Sequence, residues 1–272
     1  MMVQIFFHGT RGSFPISSKD HTKYGGHTSC VSILFDNQWF ILDAGSGLID
    51  APKIIEDKNI KRCHLFLSHL HLDHIIGLPA FPLSWDPTFE INLYCGMSLE
   101  FKGLKNALNS LFTPPYFPVK WDDFKARRLY KDFVAGESLQ LNDTVSMKTI
   151  PLNHPGGACG YKLIVGNRSI VYLSDTSHEK GMFDKCVKFS KYCDLLIYDS
   201  TYCDSEFSAV ANYGHSTWQI ACELANKASA KQLALFHHDP SHTDEFINKM
   251  EFEARLNFPN TFAAACGMAI EI

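Results

Sequence analysis

The sequence predicts an α/β protein arranged as a four-layer αββα sandwich, two sheets face to face with helices on their outer sides. Short runs rich in β-branched and aromatic residues recur in both halves of the chain, and longer helical patterns stand between them. With 272 residues and 46% hydrophobic content, the chain is long enough to build one large core, and residues 1–272 are read as a single domain.

In the first third, strands are expected at Val3–Phe7, Cys30–Phe35, Trp39–Leu42 and Cys63–Leu67, with a helix over Gly47–Lys58. The middle is less regular. A helix is expected from Ser98 to Leu111, followed by the proline-rich loop Phe112–Pro118 and the aromatic, charged segment Trp121–Tyr130. In the second half, strands are expected near Ser146–Pro151, Gly160–Val165, Ser169–Leu173, Asp194–Tyr198 and Gln232–Phe236. Helices are expected there at Gly181–Ser190, Ser216–Ala230 and Thr243–Leu256.

Bulk properties exclude some functions. A formal charge of −4 provides no global cationic field of the kind nonspecific nucleic-acid binding uses, so nucleic acid is not expected as a partner. The N-terminal residues show no basic leader with a cleavage site, and no apolar stretch reaches the ~18 residues of a membrane span. A cytoplasmic protein without membrane contact is therefore expected. Its nine cysteines are scattered singly and are read as reduced, mostly buried side chains.

The chemistry is concentrated in His69-Leu70-His71-Leu72-Asp73-His74, directly after an apolar strand. A loop leaving that strand can aim His69 and His71 at one ion and turn Asp73 and His74 toward a second. The alternative is a solvated polar turn, but clustered imidazoles without a shared cation only repel or compete. Three further polar residues stand at the tips of expected strands: His154, Asp175 and His237. Each alone would pass for a turn residue. Together with the cluster they bring four strand tips to one place.

In these residues the chain resembles the metallo-β-lactamase superfamily. The likeness rests on HxHxDH at positions 69–74, on His154, Asp175 and His237 in that order, and on the glycine-rich stretches Gly9–Pro15, Tyr24–Cys30 and Leu42–Gly47. It implies the αββα fold and two divalent metal ions. By resemblance His69, His71 and His154 bind one ion, Asp73, His74 and His237 the other, and Asp175 bridges them. Five imidazoles suit zinc, while the carboxylates also accept manganese or iron. His27 departs from the family pattern, which carries Asn there. Asp43, before Gly45 and Gly47, is read as a brace for the metal loops rather than a ligand.

Within the superfamily, Gly9–Pro15, Pro114–Pro118 and Phe236-His237-His238-Asp239-Pro240 resemble the phosphodiesterase branch, which holds tRNase Z and the cyclic phosphodiesterases. In tRNase Z-like enzymes an acidic residue orients a histidine that protonates the leaving oxygen. Asp199 and His215 occupy the matching positions. With a hydroxide held between two ions as the attacking group, that histidine would contribute roughly 10²–10⁴-fold in rate. The competing reading of Asp199 and His215 as turn and cap is weaker, since Ser216 suffices as a cap.

The expected function is therefore hydrolysis of a small, cyclic phosphodiester such as a cyclic nucleotide or a phosphoribosyl cyclic phosphate. The catalytic residues would be His215, Asp199 and Asp73. One alternative is tRNA 3′ processing, disfavoured by the acidic charge and by the lack of a Gly-rich basic arm. Lactone or thioester hydrolysis, or ligand sequestration without catalysis, would use the same pocket. Relatives in this branch are often homodimers, so a homodimer is implied here. The aromatics Phe112, Tyr116, Phe117 and Trp121 could line the substrate or pack in a core or subunit contact. His238 and His242 are candidates for support around the metals.

Overall fold

The computed structural model describes residues 2–99, 102–179 and 181–272. Two seven-stranded sheets form the body of the molecule. The first contains β1 (Gln4–Gly9), β2 (Cys30–Phe35), β3 (Gln38–Leu42), β4 (Arg62–Leu67), β5 (Glu90–Cys95) and β6 (Arg127–Asp132) in that order. The second runs through β7 (Ser138–Asn142), β8 (Val145–Leu152), β9 (Ala158–Val165), β10 (Arg168–Leu173), β11 (Leu195–Asp199), β12 (Leu233–Phe236) and β13 (Thr261–Ala263). The last strand, β14 (Met268–Glu271), returns to pair antiparallel with β1. Each sheet is antiparallel at first and then parallel: β3 to β6 share one direction, as do β10 to β13.

Alternation along the strands explains why both sheet faces are covered. On β4, Cys63, Leu65 and Leu67 pack outward under α2 (Leu104–Leu111) and the 3₁₀ segments, while Phe66 points between the sheets. On β11, Leu195 and Ile197 face the other sheet, whereas Leu196 and Tyr198 face α5 (Trp218–Ala228) and α6 (Asp244–Asn257). A strand buried on both faces reads as an unbroken apolar run because each side chain has a core to enter. The layers are thus αββα, as the sequence predicts.

Five strands (β5, β6, β7, β13 and β14) and the helix α4 (Asp204–Val210) stand outside the expected elements, the helix expected at Gly181–Ser190 is α3 (Met182–Phe189), and three segments take another form than expected. Ser46–Ile55 is a ten-residue 3₁₀ segment and not an α-helix, because Pro52 lies inside it and cannot donate the backbone hydrogen bond an α-turn needs. The helix expected from Ser98 spans Leu104–Leu111, entered through Gly103 at φ 103°; positions 100 and 101 lie outside the described residues. The segment Trp121–Tyr130 opens with a 3₁₀ turn at Trp121–Asp123, and its last four residues begin a strand, β6, at the edge of the first sheet. The nine cysteines are free, and only Cys203 and Cys266 are not fully buried. Among the described residues no helix is long and apolar enough to cross a membrane.

Parallel direction within both sheets brings the carboxyl ends of β3, β4, β10, β11 and β12 to one side of the sandwich. Phe66 shows how firmly the sheets are joined beneath that edge, with its ring stacked on Tyr94 at 4.3 Å and edge-on to Tyr161 at 5.6 Å. Phe66→Ala is expected to destabilise the protein by about 3–5 kcal/mol in urea unfolding. Phe252→Ala, on an exposed α6 position, should stay within about 0.5 kcal/mol.

Candidate metal centre

At that carboxyl edge, β4 delivers Ser68 and His69, β8 delivers His154, β10 delivers Asp175 and β12 delivers His237. The remaining part of the cluster turns into a single helical turn, α1 (Leu72–Ile75), whose N-cap is His71. That turn directs Asp73 and His74 inward together. Asp175 and His237 both adopt left-handed backbone conformations, at φ 58° and 64°, which a chain tolerates at a functional site only when its surroundings fix them.

The structure brings all seven residues together in two groups that share one carboxylate. His69, His71 and His154 converge, with His154 Nε2 3.1 Å from His71 Nδ1. Asp175 Oδ2 lies 3.8 Å from His69 Nε2 and 3.7 Å from His154 Nε2. Its other oxygen faces the second group, 3.1 Å from both His74 Nε2 and His237 Nε2. Asp73 Oδ2 completes that group at 3.2 Å from His74 Nε2 and 3.4 Å from His237 Nε2.

Hydrogen bonds behind the rings determine which nitrogen carries the proton. Ser68 Oγ donates to Asp43 Oδ2 at 2.8 Å, so toward His69 Nδ1, 3.0 Å away, it can only accept. His74 Nδ1 donates to Asp43 Oδ2 at 2.7 Å, and His154 Nδ1 to the Gly214 carbonyl at 3.0 Å. Thr201 Oγ1 donates to Asp199 Oδ1 and accepts from His237 Nδ1 at 3.0 Å. In all four rings the proton is on Nδ1, and Nε2 turns an empty lone pair into the cluster. Nε2 of His69, His74 and His237 is buried without a hydrogen-bond partner. A buried acceptor left unpaired is costly, and a divalent cation between these nitrogens and the carboxylates removes that cost. The donor set of imidazoles and carboxylates therefore fits two such ions.

Charge supports the same fit. Burial lowers the pKa of His69, His71 and His154, which keeps them neutral and able to coordinate. Burial also opposes a charge on His74, yet Asp175, Asp73 and Asp43 override it and raise its pKa well above the ordinary value. Positive charge belongs at that point. Against the penalty of burial, His237, His74 and His69 hold Asp175 in its ionised form.

His215 stands at the edge of this cluster, its ring 5.3 Å from His154 and 4.9 Å from His237. Its Nδ1 donates to Asp199 Oδ2 at 2.9 Å. Burial alone would lower its pKa, but Asp199, then Asp175 and Asp73, raise it to about 9. Asp199 is itself held by the Thr176 and Thr201 amides, each at 3.1 Å.

Several contributors were not singled out from sequence. Ser13 donates its amide to Asp73 Oδ2 at 2.8 Å, and Ser68, Thr201 and Tyr172 act through the bonds described here and below. Neighbouring strand-tip polarity could have flagged Ser68 and Thr201. Gly12 passes over His237 so closely that a Cβ there would stand 2.4 Å from the ring. His238 and His242 do not reach the cluster: His238 bonds the Ala264 carbonyl at 3.0 Å and His242 bonds Glu206 at 2.8 Å. His27 bonds Ser46 at 3.0 Å and joins neither group. Phe112 and Trp121 are core residues, so of the four aromatics only Tyr116 and Phe117 line a surface cavity without being buried themselves.

Comparison with known proteins agrees with the fold. Residues 38–238 match the family described as the beta-lactamase superfamily domain, and the chain belongs to that family. It is 27% identical to the Ribonuclease Z of Thermoplasma acidophilum over 99% of this chain and 96% of the relative. Among solved structures, the metallo-beta-lactamase fold protein YhfI from Bacillus subtilis superposes with a TM-score of 0.75 at 18% identity, covering 100% and 99% of the two chains. Human tRNase Z, short form, gives 0.70 at 21% identity, with 98% of each chain covered.

Gly12→Ala should push the His237 ring out of place and lower the metal content, read by elemental analysis, from two ions per chain toward one while the circular dichroism spectrum is retained. Two ions retained would contradict this placement of Gly12.

Proposed function

We propose that the chain is a metal-dependent phosphodiester hydrolase acting on a small, cyclic phosphodiester. His69, His71 and His154 would hold one divalent ion and Asp73, His74 and His237 the other, with Asp175 placed between the two groups. The single observation that carries the reading is the His215–Asp199 pair beside two histidine–carboxylate groups that share one carboxylate. A thioester expels a thiolate that leaves without a proton, whereas an alkoxide expelled from phosphorus needs one, and the His215–Asp199 pair is placed to give it. Zinc is the ion that the imidazole-rich set favours. When bound, the two ions neutralise charge on the phosphoryl oxygens and supply an activated water.

The side chains do the rest. The water oxygen bonds to phosphorus and its proton passes to solvent, the opposite P–O ester bond breaks, and the departing oxygen takes the proton from His215, which regains one from solvent. Asp199 keeps the His215 ring oriented and stabilises its charged form before transfer. Asp73, tied to the Ser13 amide, fixes the second group against the Gly9–Pro15 loop. Positive charge of bound ions would draw the His215 pKa down from about 9 toward the neutral range, where proton donation is most effective.

A second reading, cleavage of an RNA phosphodiester, is supported by the relatives named Ribonuclease Z, and it brings nucleic acid back as a possible substrate against the charge argument. The small substrate is favoured because the alignment with the Thermoplasma relative runs over 315 positions against a chain of 272 residues. The relative therefore inserts segments that this chain does without. A panel of 2′,3′- and 3′,5′-cyclic nucleotides, phosphoribosyl cyclic phosphate and precursor tRNA separates the two: turnover of precursor tRNA alone would replace the first reading with the second.

His215→Ala is expected to lower kcat by about 10²–10⁴-fold on esters with alkoxide leaving groups and to spare p-nitrophenyl esters, whose leaving group needs no proton. His215 donates only while protonated, so the wild-type rate should fall as pH rises through its pKa, and the variant should lose that alkaline limb. Full activity of the variant on alkyl esters would remove His215 from the mechanism.

A further inference from the structure

An apolar groove opens beside the metal cluster, and His215 is not among the residues that line it. His71 forms its inner end, and Leu70, Leu72, Ile75, Ala107, Leu108 and Leu111 line its walls around a cavity of about 510 Å³. Leu72 and Leu111 also belong to an adjoining cavity of about 580 Å³ that continues to Tyr116 and Phe117. Helical spacing creates the groove: Leu72 and Ile75 lie three apart on and beside α1, and Ala107, Leu108 and Leu111 lie along α2. Leu72 remains 53% exposed although it sits between His71 and Asp73. Among the described residues nothing covers this large apolar side chain, which stands open between two site residues.

We infer that this groove receives an uncharged aromatic ring on the ester substituent that the enzyme retains, so that the substrate class is an aryl or nucleoside phosphodiester. This inference rests on the phosphodiesterase reading. Three observations favour that occupant. The groove begins at a residue of the metal cluster, so whatever fills it is attached to the reacting phosphorus. Apart from His71, none of the residues lining the first cavity is charged, which suits a diester whose single negative charge stays at the metals and does not suit an RNA backbone carrying a phosphate on every nucleotide. His215 lies beside His154 and His237 and is not among the residues lining the groove, so a ring held there leaves the departing oxygen free to reach His215, including when both belong to one cyclic nucleotide. The volume is that of a small-molecule site.

The test compares p-nitrophenyl diesters that share a leaving group and differ in the retained ester: methyl, phenyl and thymidine 5′. Wild-type kcat/KM should favour phenyl over methyl by roughly tenfold or more, the effect of burying one ring. Leu111→Gln and Ala107→Glu should each bring that ratio close to one by lowering the phenyl ester's constant more than the methyl ester's. The thymidine ester distinguishes the sources: a rate matching phenyl assigns a nucleoside, a rate matching methyl assigns an aryl ester. Calorimetric Kd values for phenyl and methyl methylphosphonate on the metal-loaded protein should show the same preference, and they judge the groove even if no ester is turned over, an outcome that would sink the phosphodiesterase reading alone. Equal constants for phenyl and methyl, or a preference that survives in both variants, would overturn the inference. So would a dimer dissociated by Ala107→Glu with the phenyl preference intact, which would make the groove a contact between two copies of the chain.

Discussion

The carboxylate of Asp43 is the constraint on which the site is built. It stands at the tip of β3 with a left-handed backbone at φ 60° and is completely buried. Its Oδ2 accepts from His74 Nδ1 at 2.7 Å, from Ser68 Oγ at 2.8 Å and, across the sandwich, from Tyr172 on β10 at 2.7 Å. Its Oδ1 takes the Ser68 amide at 2.7 Å. One anion thus joins the two sheets and sets the proton of His74 directly and that of His69 through Ser68. Those rings belong to different metal groups. Asp199, at the tip of β11, repeats the arrangement in the second sheet, setting His237 through Thr201 and holding His215 itself.

With both anchors in place, the charge balance of the centre follows. Asp43, Asp73, Asp175 and Asp199 place four carboxylates within a buried region, and the three imidazoles of the first group are kept neutral by burial. Such a set is stable only when cations compensate it, and the inward lone pairs define where those cations sit. Backbone contacts close the centre from above: the Ser13 amide on Asp73 and Gly12 against His237 make the N-terminal loop part of the site. Arg11 secures that loop by donating to the Gly25 and His242 carbonyls at 2.8 and 2.7 Å. The orientation of the candidate ligands, the placement of His215 and the position of the N-terminal loop are consequences of one bonded network.

Much of this was legible in the sequence, because an apolar strand ending in a polar side chain is a strong pattern. His69, His154, Asp175 and His237 each end such a run, and the structure gathers them where parallel strands share a carboxyl edge. Edge strands were harder to read. β6 and β7, with segments RRLYKD and SLQLN, are half exposed and lack the apolar runs of the central strands, and neither was anticipated as a strand. Ser46–Ile55 carried helical periodicity, but Pro52 redirected it to a 3₁₀ path. Among the supporting residues, Ser68 and Thr201 carry the signal of polarity at a strand tip, whereas Tyr172 and Gly12 carry none, since their roles come from contacts between segments distant in sequence. The aromatic stretch from Phe112 to Trp121 divided in the same way: Trp121 turns inward to donate to the Tyr130 hydroxyl at 2.7 Å, while Tyr116 stays in solvent.

The central claim is that two metal ions, joined through Asp175, act together on a phosphodiester. It is tested most directly by titrating metal-free protein with zinc or manganese while following hydrolysis of a phosphodiester with an alkoxide leaving group. The account expects activity to rise only as the second equivalent binds, and Asp175→Ala to stay inactive at any metal concentration. Full activity at one equivalent, or in the metal-free protein, would contradict it.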